Sequence, residues 1–287
     1  MGQPMVLRLL HAGFTVTVWN RTASRTEACR RAGAQVAPTA AAAVIDAELV
    51  ITMLESGPVV LEVVGAAFAQ MPRGSLLIDM SSTRQSEALQ LHDLLAVREI
   101  GFVDAPVSGG VAGAEAGTLA IMAGASAADF RRAEPILTAL GNPTLVGLPG
   151  SGQLAKMCNQ LIVGGTLILI AEALLLAQAG GADPAAVRQA LRGGFADSKV
   201  LGAHGQRMLQ RNFMPGGQIK SQSKDMDNIL ATAQHVNLSL PQAELIAAVY
   251  RRLQQTHPHA DQSAALLDLE HHNPGVRLGD QPDRLPV

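Results

Sequence analysis

The chain changes its hydrophobic rhythm near its middle. Up to about residue 150, short apolar runs with the two-residue alternation of strands are separated by stretches with helical spacing. Pro4 to Ala12 sets Met5, Val6, Leu9 and Leu10 along one side of a helix that Gly13 stops. Phe14 to Trp19 alternates apolar residues with Thr, and further strands are expected at Leu49 to Leu54, Ser75 to Met80, Gly101 to Ala105, Leu119 to Ala123 and Thr144 to Val146. Strands alternating with helices predict an α/β, doubly wound parallel sheet covered on both faces, with ligands beyond the carboxyl ends of its strands. After Gly150 the strand signal stops. Ser151 to Ala179 reads as one long helix, followed by helices at Pro184 to Arg192, Asp197 to Met208, Ser221 to His235, Pro241 to Gln255 and Asp261 to His271. The expected organisation is an α/β domain over residues 1–150, an all-α domain over 151–272, and a tail over 273–287. The tail's glycines and prolines predict fraying.

Composition narrows the function. At 287 residues two domains are the better expectation. Lys and Arg total 22 against 24 for Asp and Glu, a net charge of −2 that provides no basic field for nucleic acid. Hydrophobic residues at 48% and charged residues at 16% exclude disorder. Two cysteines, Cys29 and Cys158, make no disulfide framework, and a reducing, cytoplasmic setting is expected. Cys158 is expected to pack beside its helix neighbours. Leu161 to Ala179 approaches the length and apolarity of a membrane span. Glu172 and Gln178 interrupt it, and the preferred reading is the buried spine of a helical domain, with no membrane partner. The eight histidines form no metal set, and no metal is expected.

The chemistry concentrates after strands and at helix starts. Gly2 opens the first helix, and the segment through Asn20-Arg21-Thr22 reads as the second half of a dinucleotide-binding βαβ unit, the Rossmann-like arrangement. The first strand and the leading glycines of its phosphate turn are absent. Arg21 with Thr22, and no carboxylate, favours NADP and leaves NAD open; the alternative is an arginine that merely solvates a loop. Ser108-Gly109-Gly110 offers a hydroxyl and unobstructed backbone amides to a small carboxylate, or else makes a tight glycine turn. Lys156 and Asn159, three apart, share a face of the long helix. A lysine there either transfers a proton to a developing alkoxide or snorkels to solvent. Lys224 either reaches an anionic ligand or pairs with Asp225 at the surface.

In order, Met1-Gly2-x-Pro-Met, Asn20-Arg21-Thr22, Ile51-Thr-Met-Leu54, Ile78-Asp-Met-Ser-Ser-Thr83, Asp104-Ala-Pro-Val-Ser-Gly-Gly110, Gly117-Thr-Leu, Gly150-x-Gly-x-x-x-Lys156-x-x-Asn159 and Lys224-Asp225 span nearly the whole chain. Together they resemble the β-hydroxyacid dehydrogenase family, relatives of 3-hydroxyisobutyrate and 6-phosphogluconate dehydrogenases. The resemblance implies an oxidoreductase moving a hydride between NADP(H) and a small β-hydroxy or 3-oxo acid, in a homodimer or homotetramer. It implies Lys156 as catalytic lysine with Asn159 positioning substrate, and Ser108, Gly109 and Gly110 as the carboxylate loop. Gly2, Asn20, Arg21, Thr22, Met53, Leu54 and Thr83 would line the dinucleotide. Lys224 would close over the cofactor side, with Asp225 orienting its helix. Ile51-Thr-Met-Leu54, Ile78-Asp-Met-Ser-Ser82, Arg192-Gly-Gly194, Arg211-Asn-Phe213, Pro215-Gly216 and Asp261-Gln-Ser-Ala264 resemble the branch that reduces 2-hydroxy-3-oxopropionate (tartronate semialdehyde) to glycerate. The alternatives are 3-hydroxyisobutyrate, threonate, succinic semialdehyde or glyoxylate chemistry, a non-catalytic oligomeric scaffold, and an imine-reducing relative that the retained lysine disfavours.

The departure from the family lies at the start. Relatives carry the central strand and leading glycine turn ahead of the position of Met1, and each buried backbone group left without that strand would cost about 1–3 kcal/mol. The expectation is a shortened start rather than a deliberate variant, with cofactor binding in question for the chain as it stands.

Overall fold

A computed structural model describes residues Met1–Pro286, and the chain divides into two compact units, Met1–Lys156 and the remainder from Met157. In the first unit the elements run α1 (Gly2–His11), β1 (Thr17–Val18), α2 (Glu27–Arg31), β2 (Gln35–Val36), α3 (Ala40–Ala43), β3 (Leu49–Thr52), α4 (Gly57–Ala67), β4 (Leu76–Asp79), α5 (Gln85–Ala96) and β5 (Gly101–Asp104). They continue through β6 (Val107–Ser108), α6 (Gly110–Ala116), β7 (Leu119–Ala125), α7 (Ala127–Leu140) and β8 (Gly141–Gly147) to α8 (Ser151–Ala179), where the division falls.

Strand β4 shows why the sheet forms. Leu76, Leu77 and Ile78 are fully buried, as a strand covered on both faces requires. Alternation sends Leu76 and Ile78 into a core shared with Met5, Leu9 and Leu137, and Leu77 into one shared with Val60, Leu91 and Phe102. β3, β4 and β5 run parallel, and their register sets Thr52 beside Asp79 and Asp79 beside Asp104. The six-stranded sheet, in the order β3-β4-β5-β7-β6 with β8 on β7, is mixed rather than wholly parallel. β7 runs antiparallel to both β5 and β6. The reason lies at Gly109 (φ 138°) and Gly110 (φ 65°), which turn the chain into the short α6 so that it returns beside the strand it left.

β1 and β2 form a separate two-stranded parallel sheet, so β1 and β3 do not pair with each other. The strand expected over Phe14 to Trp19 shrinks to Thr17–Val18, because its pairing ends where the two-residue β2 ends.

The second unit holds most of α8 with α9 (Pro184–Leu191), α10 (Lys199–Leu209), α11 (Ile219–His235), α12 (Pro241–Thr256) and α13 (Ala265–His271). Leu167, Ile170, Leu174 and Leu175 of α8 enter its core with Met226, Tyr250 and Leu266. The opposite side of α8 exposes Ile162, Leu169 and Leu176 at seven-residue spacing, 65–74% accessible. Cys158 is exposed near the start of this stripe, correcting the expectation that it packs.

Over its described residues, 273–286, the tail makes contacts with the second unit. Phe213 and Arg211 exchange backbone hydrogen bonds with Arg284, each 2.9 Å, and Leu278 is fully buried. Arg211, 1% exposed, anchors the segment through Glu270, Asp283 and the Leu278 carbonyl. Val287 lies outside the described residues.

Candidate active site

The first unit gathers polar side chains at the carboxyl ends of β3, β4 and β5. Thr52 Oγ1 donates to Asp79 Oδ1 (2.8 Å), which also accepts the Ser81 amide (3.1 Å). Ser81 Oγ accepts the Leu54 amide (2.9 Å), fixing the loop that carries Met53 and Leu54. Burial pushes the Asp79 carboxyl up to about 6 against hydrogen bonds from Ser81 and Thr52 that oppose the shift. Burial likewise raises Asp104 to about 7, against the amides of Gly150 and Gln153. Buried Thr83 donates its amide to Gln153 Oε1 (3.0 Å).

Gly2 begins α1, whose first amides have no side-chain cap, and a Cβ built at Gly2 would meet only Met53, at 4.0 Å. An open backbone at an uncapped helix start, beside Met53, has the chemistry to receive a phosphate group. Asn20, Arg21 and Thr22 are exposed just beyond β1, where Asn20 Oδ1 accepts the Thr22 amide (2.9 Å) and shapes the turn. The turn brings an arginine and a hydroxyl, and no carboxylate, to the end of β1.

On the other flank, Lys156 Nζ donates to the carbonyl oxygen of Val107 (2.8 Å). That carbonyl belongs to the peptide leading into Ser108, so the amine stands at the mouth of the Ser108-Gly109-Gly110 loop. The half-buried lysine is not snorkelled: its ammonium is held by backbone. Asn159 follows three residues later on α8, with Nδ2 donating to Gln160 Oε1 (2.8 Å).

In the second unit, Gln160 Nε2 donates to Asp225 Oδ2 (2.7 Å) and Gln222 Oε1 (3.1 Å), while Lys224 Nζ lies 3.5 Å from Asp225 Oδ1. Asn159 and Lys224 are therefore linked through Gln160 and Asp225. Asp225 does more than orient its own helix, because it fixes α8 at Gln160. Sequence reasoning missed Gln153, Gln160 and Gln222 outright, and it left Asp79 and Asp104 without roles. The readable signal was an aspartate ending each of two apolar strands, Leu-Leu-Ile-Asp79 and Gly-Phe-Val-Asp104.

The family described as the NAD binding domain of 6-phosphogluconate dehydrogenase matches residues 1–158. The family described as NAD-binding of NADP-dependent 3-hydroxyisobutyrate dehydrogenase matches 150–269. The chain is 40% identical over 248 residues to 2-hydroxy-3-oxopropionate reductase of Escherichia coli, covering 84% of each protein. It is 34% identical over 279 residues to 3-hydroxyisobutyrate dehydrogenase of Pseudomonas aeruginosa, covering 93% of this chain and 92% of that one. Among solved structures, Mycobacterium tuberculosis 3-hydroxyisobutyrate dehydrogenase with L-serine superposes with a TM-score of 0.86 at 29% identity, over 94% of this chain and 95% of its own. With matched families across both units, relatives above 30% identity and a lysine held beside a glycine loop, this chain belongs to the 3-hydroxyisobutyrate dehydrogenase-related family of β-hydroxyacid dehydrogenases, and it is an NAD(P)-dependent oxidoreductase.

Proposed function

We propose that the protein reduces a small 3-oxo acid, 2-hydroxy-3-oxopropionate, to glycerate and prefers NADPH. The observation that carries this reading is the 2.8 Å hydrogen bond from Lys156 Nζ to the Val107 carbonyl, one peptide before Ser108. Ser108 Oγ and the Gly109 and Gly110 amides hold the substrate carboxylate, and Lys156 donates a proton to the carbonyl oxygen as it becomes a hydroxyl. When bound, the reduced nicotinamide supplies the hydride to the aldehyde carbon. In the oxidative direction Lys156 accepts the hydroxyl proton. Gly2 and the first amides of α1 would hold the pyrophosphate, and Arg21 with Thr22 would pair with the 2′-phosphate. Support for the substrate comes from the 40% identity to a relative named for it.

The test is a panel of small aldehyde acids, with 3-hydroxyisobutyrate assayed in reverse, each run with both cofactors while nicotinamide absorbance is followed. The highest kcat/KM is expected for 2-hydroxy-3-oxopropionate with NADPH, about tenfold or more above NADH, the size of one charge-assisted contact. A preference for NADH overturns the cofactor assignment, and a better substrate in the panel overturns the substrate.

The same reading includes a homo-oligomer. The exposed Ile162, Leu169 and Leu176 stripe on α8 has the spacing of a helix–helix seam and supports self-association. Leu169→Lys is expected to lower the mass measured by light scattering after size-exclusion chromatography to a smaller assembly. An unchanged mass removes this stripe from the contact.

A further inference from the structure

The first turn of α8 is held by a residue from elsewhere in the sequence. Fully buried Asp104, at the end of β5, accepts the Gly150 amide through Oδ1 (2.7 Å) and the Gln153 amide through Oδ2 (2.8 Å). Helix-start amides commonly find a side chain beside them in sequence. Here the acceptor comes from the sheet, so it fastens the helix to a strand while it satisfies two donors. Glycines permit the approach. A Cβ on Gly152 would lie 2.4 Å from the carbonyl oxygens of both Asp104 and Met122, and one on Gly124 of β7 would lie 2.5 Å from Asp104 Oδ1.

Gln153 completes the joint. Its Nε2 donates to the Ser81 carbonyl (2.8 Å), and its Oε1 accepts the Thr83 amide (3.0 Å). About one turn farther along α8, Lys156 Nζ reaches Val107, three residues beyond Asp104. One short segment, residues 104–107, thus grips the helix start at one end and the amine at the other.

We propose that Asp104, assisted by Gln153, is the positioning residue for Lys156, setting where the amine stands relative to the Ser108 loop. The proposal rests on Lys156 being the proton donor. A misplacement of about 1 Å at a reacting group can cost about 100-fold in rate, so a joint this close to the lysine has leverage. The titratable group facing Asp104 is Asp79, its register partner on β4, while β7 and the start of α8 bring glycines and backbone amides to it. Ionised Asp104 accepts from both amides. Protonated, one of its oxygens becomes a donor set against an N–H, and an anchor is lost. Burial raises the two carboxyls to about 7 and about 6, so the joint loosens as pH falls through that range.

The experiment compares the full-length wild type with Asp104→Asn. The variant is expected to lose about 10- to 100-fold in kcat, with KM and NADPH Kd within about threefold. The wild type is expected to show an acid limb in kcat that Asp104→Asn lacks. In the cofactor-free protein, acetic anhydride labelling of Lys156, read by mass spectrometry against the other three of the chain's four lysines, is expected to rise severalfold in the variant. Gln153→Leu, which keeps the carboxylate, is expected to give the same kcat-selective loss and serves if Asp104→Asn does not fold. Unchanged kcat, an equal loss in Kd, an acid limb that survives in Asp104→Asn, or unchanged Lys156 labelling overturns the proposal. A wild type without an acid limb also overturns it. If Lys156→Ala keeps its turnover, the donor assignment fails, while the labelling still decides whether Asp104 positions the amine.

Discussion

Lys156→Ala is expected to lower kcat for aldehyde reduction by about 100- to 10,000-fold, the usual contribution of a positioned general acid, and to leave the Kd for NADPH within about twofold. The split follows from where the amine stands. Its hydrogen bond goes to the Val107 carbonyl at the entrance to the Ser108 loop, whereas Gly2, Arg21 and Met53 occupy the α1 and β1–β3 side of the unit. Removing the amine therefore removes a proton source without touching the groups assigned to the dinucleotide. Lys156→Arg separates charge from proton transfer. A guanidinium keeps the positive charge, but it does not give up a proton in the accessible pH range. The Arg variant should be nearly as slow as the Ala variant. Steady-state kinetics together with a nicotinamide fluorescence titration check both. Near-normal turnover in Lys156→Ala refutes the donor role, and a parallel loss of NADPH binding shows that the lysine serves the cofactor instead.

The parts of this site that were legible in the sequence are those with local signatures. Gly109 and Gly110 announce a turn that side chains resist, and Lys156 stands out as a charge on an apolar helix. The alternation of strand and helix up to Gly147, and its end at Ser151, was likewise visible as a change of period. What could not be read was set by pairing over distance. The antiparallel placement of β7 depends on β5 and β6 as its partners, and the division of the strands into two sheets depends on which neighbours β1 and β3 find. Neither is encoded in the alternation of a single strand, which gives which face is buried but not the direction of the neighbour. Asp104 looked like a motif residue of no stated use because its partners, Gly150 and Gln153, lie 46 and 49 residues away. Gln160 was silent for a similar reason, since its partners Gln222 and Asp225 are on α11, 62 and 65 residues on.

The tail shows the same blindness with the largest structural consequence, and it carries the strongest stability prediction. Its glycines and prolines predict fraying when only local propensity is weighed, yet Arg211 binds it across 67 to 72 residues of sequence. The guanidinium donates from Nη1 and Nη2 to both Glu270 oxygens, 2.8 and 2.7 Å, and to the Leu278 carbonyl at 2.9 Å, and from Nε to Asp283. It also lies over the Phe213 ring, 5.7 Å from its centroid. Glu270 is largely withdrawn from water, whereas Asp283 keeps a second partner in Arg277 (3.2 Å), so removing the arginine strands the Glu270 charge above all. Arg211→Leu is expected to destabilise the second unit by about 3–5 kcal/mol, the cost of breaking a buried pair from one side. It is also expected to speed proteolysis within residues 273–286. Replacing Glu270 by Leu in the same chain removes one stranded charge and should recover part of the loss, because a buried pair exchanged for apolar groups is often neutral. Urea unfolding of the single and double variants measures both terms. If the single variant unfolds within about 1 kcal/mol of wild type, a loss no larger than an exposed pair gives, then Arg211 is not what docks the tail. Burial of Leu278 and the two backbone bonds to Arg284 would then have to hold the segment alone.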